Sequence, residues 1–333
     1  MKYTKLNIDD SAVPKIDPEK AAVAKAIDEK IAADAMKESD RSGAASSASE
    51  EKSDKDEKVK TRTAQVPRPS VSGGTKLIAV VTGASSGLGS EFVHQIDRSS
   101  AERFDEIWVI ARRLDRLEEL RDSISTPVKI LSFDLTKKSN LEAYSKELAK
   151  SGVVIGLLIN AAGFGKIGSV KDIPLESIDS MIDLNCRAAV DMTQLSLPYM
   201  RAGSRIMEIC STAGFSPFPY LNVYAASKAF LLRYSRALRE ELIGDGIIVT
   251  AVCPYWIRDT EFIGTAKKTK GSREIKSFPF SSTVHSVAVH ALYDSEHGFA
   301  VSTPGIMCTV HRFFSKILPD TVIMGIWELL RRA

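Results

Sequence analysis

The sequence predicts an α/β fold, a doubly wound parallel sheet in a single domain behind an N-terminal tail, and three observations lead there. Short Val/Ile/Leu runs recur from residue 75 onward, stretches with apolar residues at helical spacing separate them, and the composition breaks near residue 74. Continuous apolar strands are buried on both faces, as in a parallel sheet covered by helices. Strands that alternate with helices build the doubly wound arrangement.

Residues 1–74 carry Tyr3 as their one aromatic, balanced acidic and basic residues, and the Ala/Ser run from Ser42 to Ser49. Such a segment buries too little apolar surface to offset an ordering cost of about 1–2 kcal/mol per residue, so a disordered extension is expected. Val23, Ile27 and Ile31 give 21–36 a weak helical stripe, and Pro67, Pro69, Gly73 and Gly74 mark a linker. The folded domain is placed at 75–333. Its strands are expected at 77–81, 107–111, 128–133, 156–160, 205–210 and 247–253, with a weaker one at 299–302. Helices are expected at 88–98, 114–123, 141–150, 175–200 and 223–243. Residues 305–333 are apolar with cationic flanks and read as C-terminal helices; packing in the core or between subunits is their default role, with a pocket cover or a membrane surface as alternatives.

Composition excludes several functions. The chain has 333 residues, 45 Lys+Arg against 42 Asp+Glu, and a net charge of +3, which provides no basic field for nucleic acid. Cys186, Cys210, Cys253 and Cys308 are scattered; they form no zinc pattern or disulfide framework, and fit a reducing, cytoplasmic compartment with no metal site. No apolar run reaches the roughly 18–20 residues of a spanning helix, and the first residues lack the apolar centre of a secretory signal.

The first strand runs into Thr82-Gly83-Ala84-Ser85-Ser86-Gly87-Leu88-Gly89, and a helix follows. Glycines at 83, 87 and 89 permit a tight turn and let backbone N–H groups approach a pyrophosphate at the helix N-terminus. Glycines alone also suit an ordinary turn; their place between strand and helix points to a Rossmann-type dinucleotide site. The second strand ends in Ala111-Arg112-Arg113, with no carboxylate before Asp115. A guanidinium there suits a ribose 2′-phosphate, as a carboxylate would suit a free 2′-hydroxyl, so the cofactor expected is NADP(H). A solvent-facing Arg pair is the alternative.

The spacing TGxxxGxG resembles that of the short-chain dehydrogenase/reductase family, and Ile159-Asn160-Ala161-Ala162-Gly163 is similar to the family's NNAG, with Ala161 in place of the second Asn. The resemblance implies that the loop from Gly83 through Ser85, Ser86, Gly87, Leu88 and Gly89 holds the cofactor. It further implies that Asp134 and Leu135 meet the adenine, that Asn160 ties neighbouring strands, and that Ala162 and Gly163 admit the ribose. Read without the family, Asp134 is the N-cap of the next helix.

Tyr224-Ala225-Ala226-Ser227-Lys228 puts a phenol and an ammonium on one face at a helix start, and Ser211 ends the apolar strand upstream. Strand C-termini and helix starts converge on the crevice of an open α/β sheet. A solvated pair is the usual meaning of such spacing taken alone. In the family an Asn at the position of Asn185 completes the set; by itself it reads as a packing or kinking residue. The residue types suit hydride transfer between a ketone or aldehyde and an alcohol. Tyr224 serves as proton donor or base, acidified by Lys228, while Ser211 donates to the substrate oxygen. Lys228 also holds the nicotinamide ribose, and Asn185 holds a water that connects Lys228 to solvent. GxSxG is absent, and His285, His290, His297 and His311 lie outside the recognisable core, which argues against a Ser-His-Asp hydrolase.

Where the family shows Pro-Gly, the chain has Pro254-Tyr255, so the turn must differ or hold strain, with Pro254 and Ile257 flanking the nicotinamide and Thr260 near its carboxamide. Phe164, Gly165, 215–220 and 255–280 are the expected pocket walls, aromatic enough for an apolar small molecule. Lys267, Lys268, Lys270, Arg273 and Lys276 make either a solvated loop or a lid that attracts a carrier phosphate. The family also implies a homo-oligomer. A second reading from another class is a non-catalytic NADP(H)-sensing regulator or scaffold acting through residues 1–74.

Overall fold

The computed structural model describes residues 74–99, 103–267, 269, 275 and 280–332. Expectations for the tail lie outside them, Gly74 apart, as do those for Lys268, Lys270, Arg273 and Lys276 of the cationic run.

Seven strands form one sheet in the order β3-β2-β1-β4-β5-β6-β7. They are β1 (Lys76–Thr82), β2 (Glu106–Ala111), β3 (Val128–Ser132), β4 (Val153–Asn160), β5 (Arg205–Ile209), β6 (Ile248–Val252) and β7 (Val301–Ser302). Every pairing is parallel. All seven expected strands form, within three residues of the expected bounds. β4 is buried along its whole length, which explains its unbroken VVIGLLIN reading. The order reverses between β1 and β4, where Thr82 lies beside Asn160, and this switch point opens the crevice at their C-terminal ends.

Helices cover both faces. On one, α1 (Gly87–Arg98), α2 (Leu114–Asp122) and α8 (Val284–Glu296) bring Phe92, Val93, Leu117 and Ala288 against Ala79, Val81 and Val109. On the other, α3 (Lys138–Ser151), α5 (Ala188–Ser196) and α6 (Asn222–Leu242) bring Tyr144, Met192 and Leu238 against Val80, Trp108 and Leu158. Trp108 and Tyr144 meet edge to face, and the Tyr144 hydroxyl pairs with Ser196 at 2.8 Å, so this large buried phenol carries no unsatisfied atom.

The expected helix over 175–200 is broken. α4 (Leu175–Ile182) passes into a π-turn over Asp183–Arg187, where the Ala188 N–H bonds back five residues to Asp183, then into α5 and a 3₁₀ turn at Leu197–Tyr199. Pro198, which lacks an N–H, opens that last turn. The short α7 (Glu261–Ala266) precedes α8, and the chain ends in α9 (Ile306–Ile317) and α10 (Asp320–Arg332). α10 lies against the loop after β5. Trp327 packs edge-on against Phe218 at 5.0 Å and donates from Nε1 to the Pro219 carbonyl at 3.0 Å. Arg331 stacks over Tyr220 at 4.0 Å and pairs with Glu328. The C-terminal helices thus cover the crevice rather than fill the core, and Cys308 is the buried residue of α9.

Candidate active site

The glycine loop joins β1 to α1 at the switch point. Gly83 takes φ +68, and a Cβ there would stand 2.8 Å from the Ala162 nitrogen. A Cβ on Gly89 would fall 2.3 Å from the Gly83 carbonyl oxygen, so the start of α1 presses onto the strand end only because no side chain intervenes. Arg113 crosses this loop, donating to the Ser86 hydroxyl at 2.7 Å and the Ser85 hydroxyl at 3.2 Å and pairing with Glu261 at 3.0 Å. Arg112 is exposed, and its charge acts on Asp134. The two arginines, treated alike by the sequence reading, therefore differ: one braces the loop and the other stands at the mouth. Burial pushes the Asp134 carboxyl up, but hydrogen bonds from Thr136 and the Arg112 charge outweigh it and leave the group below its ordinary value.

Ser211, Tyr224 and Lys228 converge at the inner end of the crevice, each less than a tenth exposed. The Ser211 hydroxyl accepts from the Ala213 N–H at 3.1 Å, capping a 3₁₀ turn, and donates to the Pro254 carbonyl at 3.4 Å. Lys228 Nζ donates to the Ile209 carbonyl at 2.6 Å and lies 5.9 Å from the Tyr224 ring centre. Phe262 packs against the phenol ring at 5.4 Å, tilted by 52°. Asn185, in the π-turn, accepts from the Phe164 N–H at 3.0 Å and donates to the Phe164 carbonyl at 2.9 Å and the Ser227 hydroxyl at 3.0 Å. Its side chain thereby fastens the segment after β4 to the helix that carries Tyr224 and Lys228. Both amide N–H groups are used in these bonds, while Oδ1 keeps a second lone pair.

Burial pushes the Tyr224 phenol up to about 12, opposed by Ser211, and burial lowers the Lys228 ammonium, opposed chiefly by nearby thiols and by Glu208. The Lys228 ammonium is itself bonded to a carbonyl of β5.

A cavity of about 720 Å³ joins both ends. It is lined by Gly83, Ser85, Ser86, Gly87, Leu88, Gly89, Arg112, Arg113, Asp134, Leu135, Ala162, Gly163, Ser211, Tyr224, Lys228, Pro254 and Ile257. Asn160 and Asn185 stand behind the wall. Asn160 donates to Glu208 at 2.8 Å, Thr193 at 3.0 Å and the Ala189 carbonyl at 3.3 Å, which ties β4 to β5 and α5. Tyr255 stays out of the left-handed region; Tyr220 at φ 67 and Phe280 at φ 58 enter it instead, so the turn after β6 differs without strain at Tyr255. Trp256 lies on the cavity wall within the expected 255–280; Met307, His311, Ile323, Ile326, Trp327 and Leu330 line it too, where sequence reasoning held a pocket cover only as an alternative for 305–333. The apolar C-terminal stretch was their signal. Glu208 was missed: a lone carboxyl within the apolar strand RIMEI, pushed up to about 7 by burial.

A model of the short chain dehydrogenase family matches residues 77–271. The chain belongs to the short-chain dehydrogenase family. It is 30% identical over 263 residues to a very-long-chain 3-oxoacyl-CoA reductase of Anas platyrhynchos, covering 74% of this chain and 78% of the relative. An NADP-dependent 3-hydroxy acid dehydrogenase of Escherichia coli is 31% identical over 205 residues, 61% of this chain and 81% of its own. Among solved structures, a short-chain dehydrogenase from Sphingobium yanoikuyae in complex with NADPH superposes with a TM-score of 0.61 at 28% identity, over 75% of this chain and 94% of that one. Like these relatives, this short-chain dehydrogenase is an oxidoreductase with a Rossmann-type sheet. Among its described residues no helix is long and apolar enough to cross a membrane.

Proposed function

We propose that this short-chain dehydrogenase uses NADP(H) to interconvert an apolar ketone or aldehyde with the corresponding alcohol, with Tyr224 as general acid and base. One observation carries the reading: Ser211, Tyr224 and Lys228 line the same cavity as the glycine loop, closely packed at Gly83 and Gly89. The fit to a dinucleotide rests on that loop, where a Cβ at Gly83 or Gly89 would collide with backbone, on the N-terminus of α1 behind it, and on Arg112 at the tip of β2. When bound, the nicotinamide supplies or accepts the hydride.

The rest falls to the chain. Tyr224 Oη gives its proton to the oxygen of the reduced carbonyl, or takes one from the alcohol in the reverse direction. Ser211 turns its hydroxyl from the Pro254 carbonyl to that oxygen, where charge develops. Lys228 places a positive charge beneath the phenol, and Asn185 holds the supporting helix in register. Arg112 meets the 2′-phosphate while Arg113 keeps Ser85 and Ser86 in place. The NADPH complex of the Sphingobium relative and the NADP dependence of the Escherichia coli one support the choice of dinucleotide.

Consumption of NADPH and NADH over a panel of apolar ketones, aldehydes and alcohols tests this. Turnover with a preference for NADPH is expected, and Arg112→Ala should reduce that preference roughly 10–100-fold, as for a lost charge-assisted hydrogen bond of about 1.5–3 kcal/mol. Turnover with NADH alone would overturn the choice of cofactor.

A further inference from the structure

His311 has no part in the proposed chemistry, yet it stands on the wall of the same cavity. It comes from α9, beyond the segment that matches the family. Apolar Met307, Phe218, Ile323 and Trp327 line the cavity with it, and Phe218, which it touches, also meets Trp327. The ring is set edge to face against Phe215 at 5.9 Å and Phe218 at 5.5 Å, with interplanar angles of 88° and 84°. These contacts fix the plane of the imidazole, and among the described residues neither nitrogen has a hydrogen-bond partner. Burial holds the group below its ordinary value, so it is uncharged near neutral pH, with one N–H donor and one ring acceptor. The ring is half-buried, so a ligand atom of matching polarity would replace water at its unpartnered nitrogens. An ion pair suits a neutral ring poorly, which leaves a neutral hydroxyl or carbonyl as the matching chemistry.

We infer that His311 is a specificity-determining residue that hydrogen-bonds a neutral hydroxyl or carbonyl carried by the substrate, at a distance from the carbonyl that reacts. The substrate is then bifunctional: an apolar body, a reactive carbonyl at Ser211 and Tyr224, and a second polar group at His311. This rests on the redox reading above, and it explains why an apolar wall retains an imidazole where Phe or Leu would pack as well.

The test pairs aryl alkyl ketones bearing one hydroxyl, at graded distances from the carbonyl, with the same ketones lacking it. NADPH oxidation by the full chain gives kcat and KM for each. At the matching distance the wild type should favour the hydroxylated member by about 10-fold in kcat/KM. His311→Phe should bring the ratio toward one, with the change in KM rather than kcat, and His311→Gln, which keeps a donor and an acceptor, should recover part of it. Turnover with no preference at any distance, or a preference retained by His311→Phe, overturns the assignment of His311 alone. Failure of the wild type to reduce any member overturns the redox reading and this inference with it.

Discussion

Glu208 shows how much a single buried group can weigh. Burial raises its carboxyl to about 7, against hydrogen bonds from Asn160 and Thr193 and the charge of Lys228. A carboxyl with a raised folded pKa holds its proton more tightly in the native chain. Its contribution to stability is therefore complete below the ordinary value of 4.5 and is lost as pH rises through about 7. Glu208→Gln removes this dependence, so the variant should gain on the wild type between pH 5 and pH 8, by about 3 kcal/mol at most. Urea midpoints at the two pH values measure it, and midpoints that move in parallel would contradict it. Tyr224, Lys228 and Ser211 were legible in the sequence because a four-residue step on a helix and a strand C-terminus fix position before any contact is known. His311 was not legible. Only the fold brings α9 back over the crevice, and a histidine in an apolar stripe reads alike whether it faces core, cavity or solvent.

Among the elements, α10 makes the clearest case for a cover that shapes the site. Trp327 and Ile323 are its buried apolar residues, and the Tyr220 that Arg331 covers is held at positive φ, a conformation that costs of order 1–3 kcal/mol and persists where its surroundings fix it. Trp327→Ala should remove the contact with Phe218 and the bond to the Pro219 carbonyl. The expected result is a rise of roughly 10-fold in KM for large apolar ketones and a stability loss of about 3 kcal/mol. An unchanged KM would show that α10 does not wall the substrate site. The strands were readable to within three residues because β1, β4 and β6 are unbroken β-branched and aliphatic runs. The π-turn at Asp183–Arg187 was not, since its one extra residue carries no residue type that marks it; only the Asn185 bonds to Phe164 and Ser227 reveal what it is for.

Across the whole molecule, sheet order and site are one fact. Reversal between β1 and β4 opens the crevice, the glycine loop and the Ser211–Tyr224–Lys228 group occupy its two ends, and helices outside the family-matched segment close it. The motifs disclosed the crevice in advance because each sits at a strand end, whereas the reach of α9 and α10 depends on contacts far apart in sequence. Tyr224→Phe keeps the ring against Phe262 and removes only the hydroxyl, so it separates chemistry from binding. Measured beside the wild type with a ketone that the wild type reduces, it should bind NADPH within about twofold in Kd yet lose at least 100-fold in kcat, the range of general acid catalysis. Near-wild-type kcat in that variant, with NADPH bound, would contradict the central role given to this phenol.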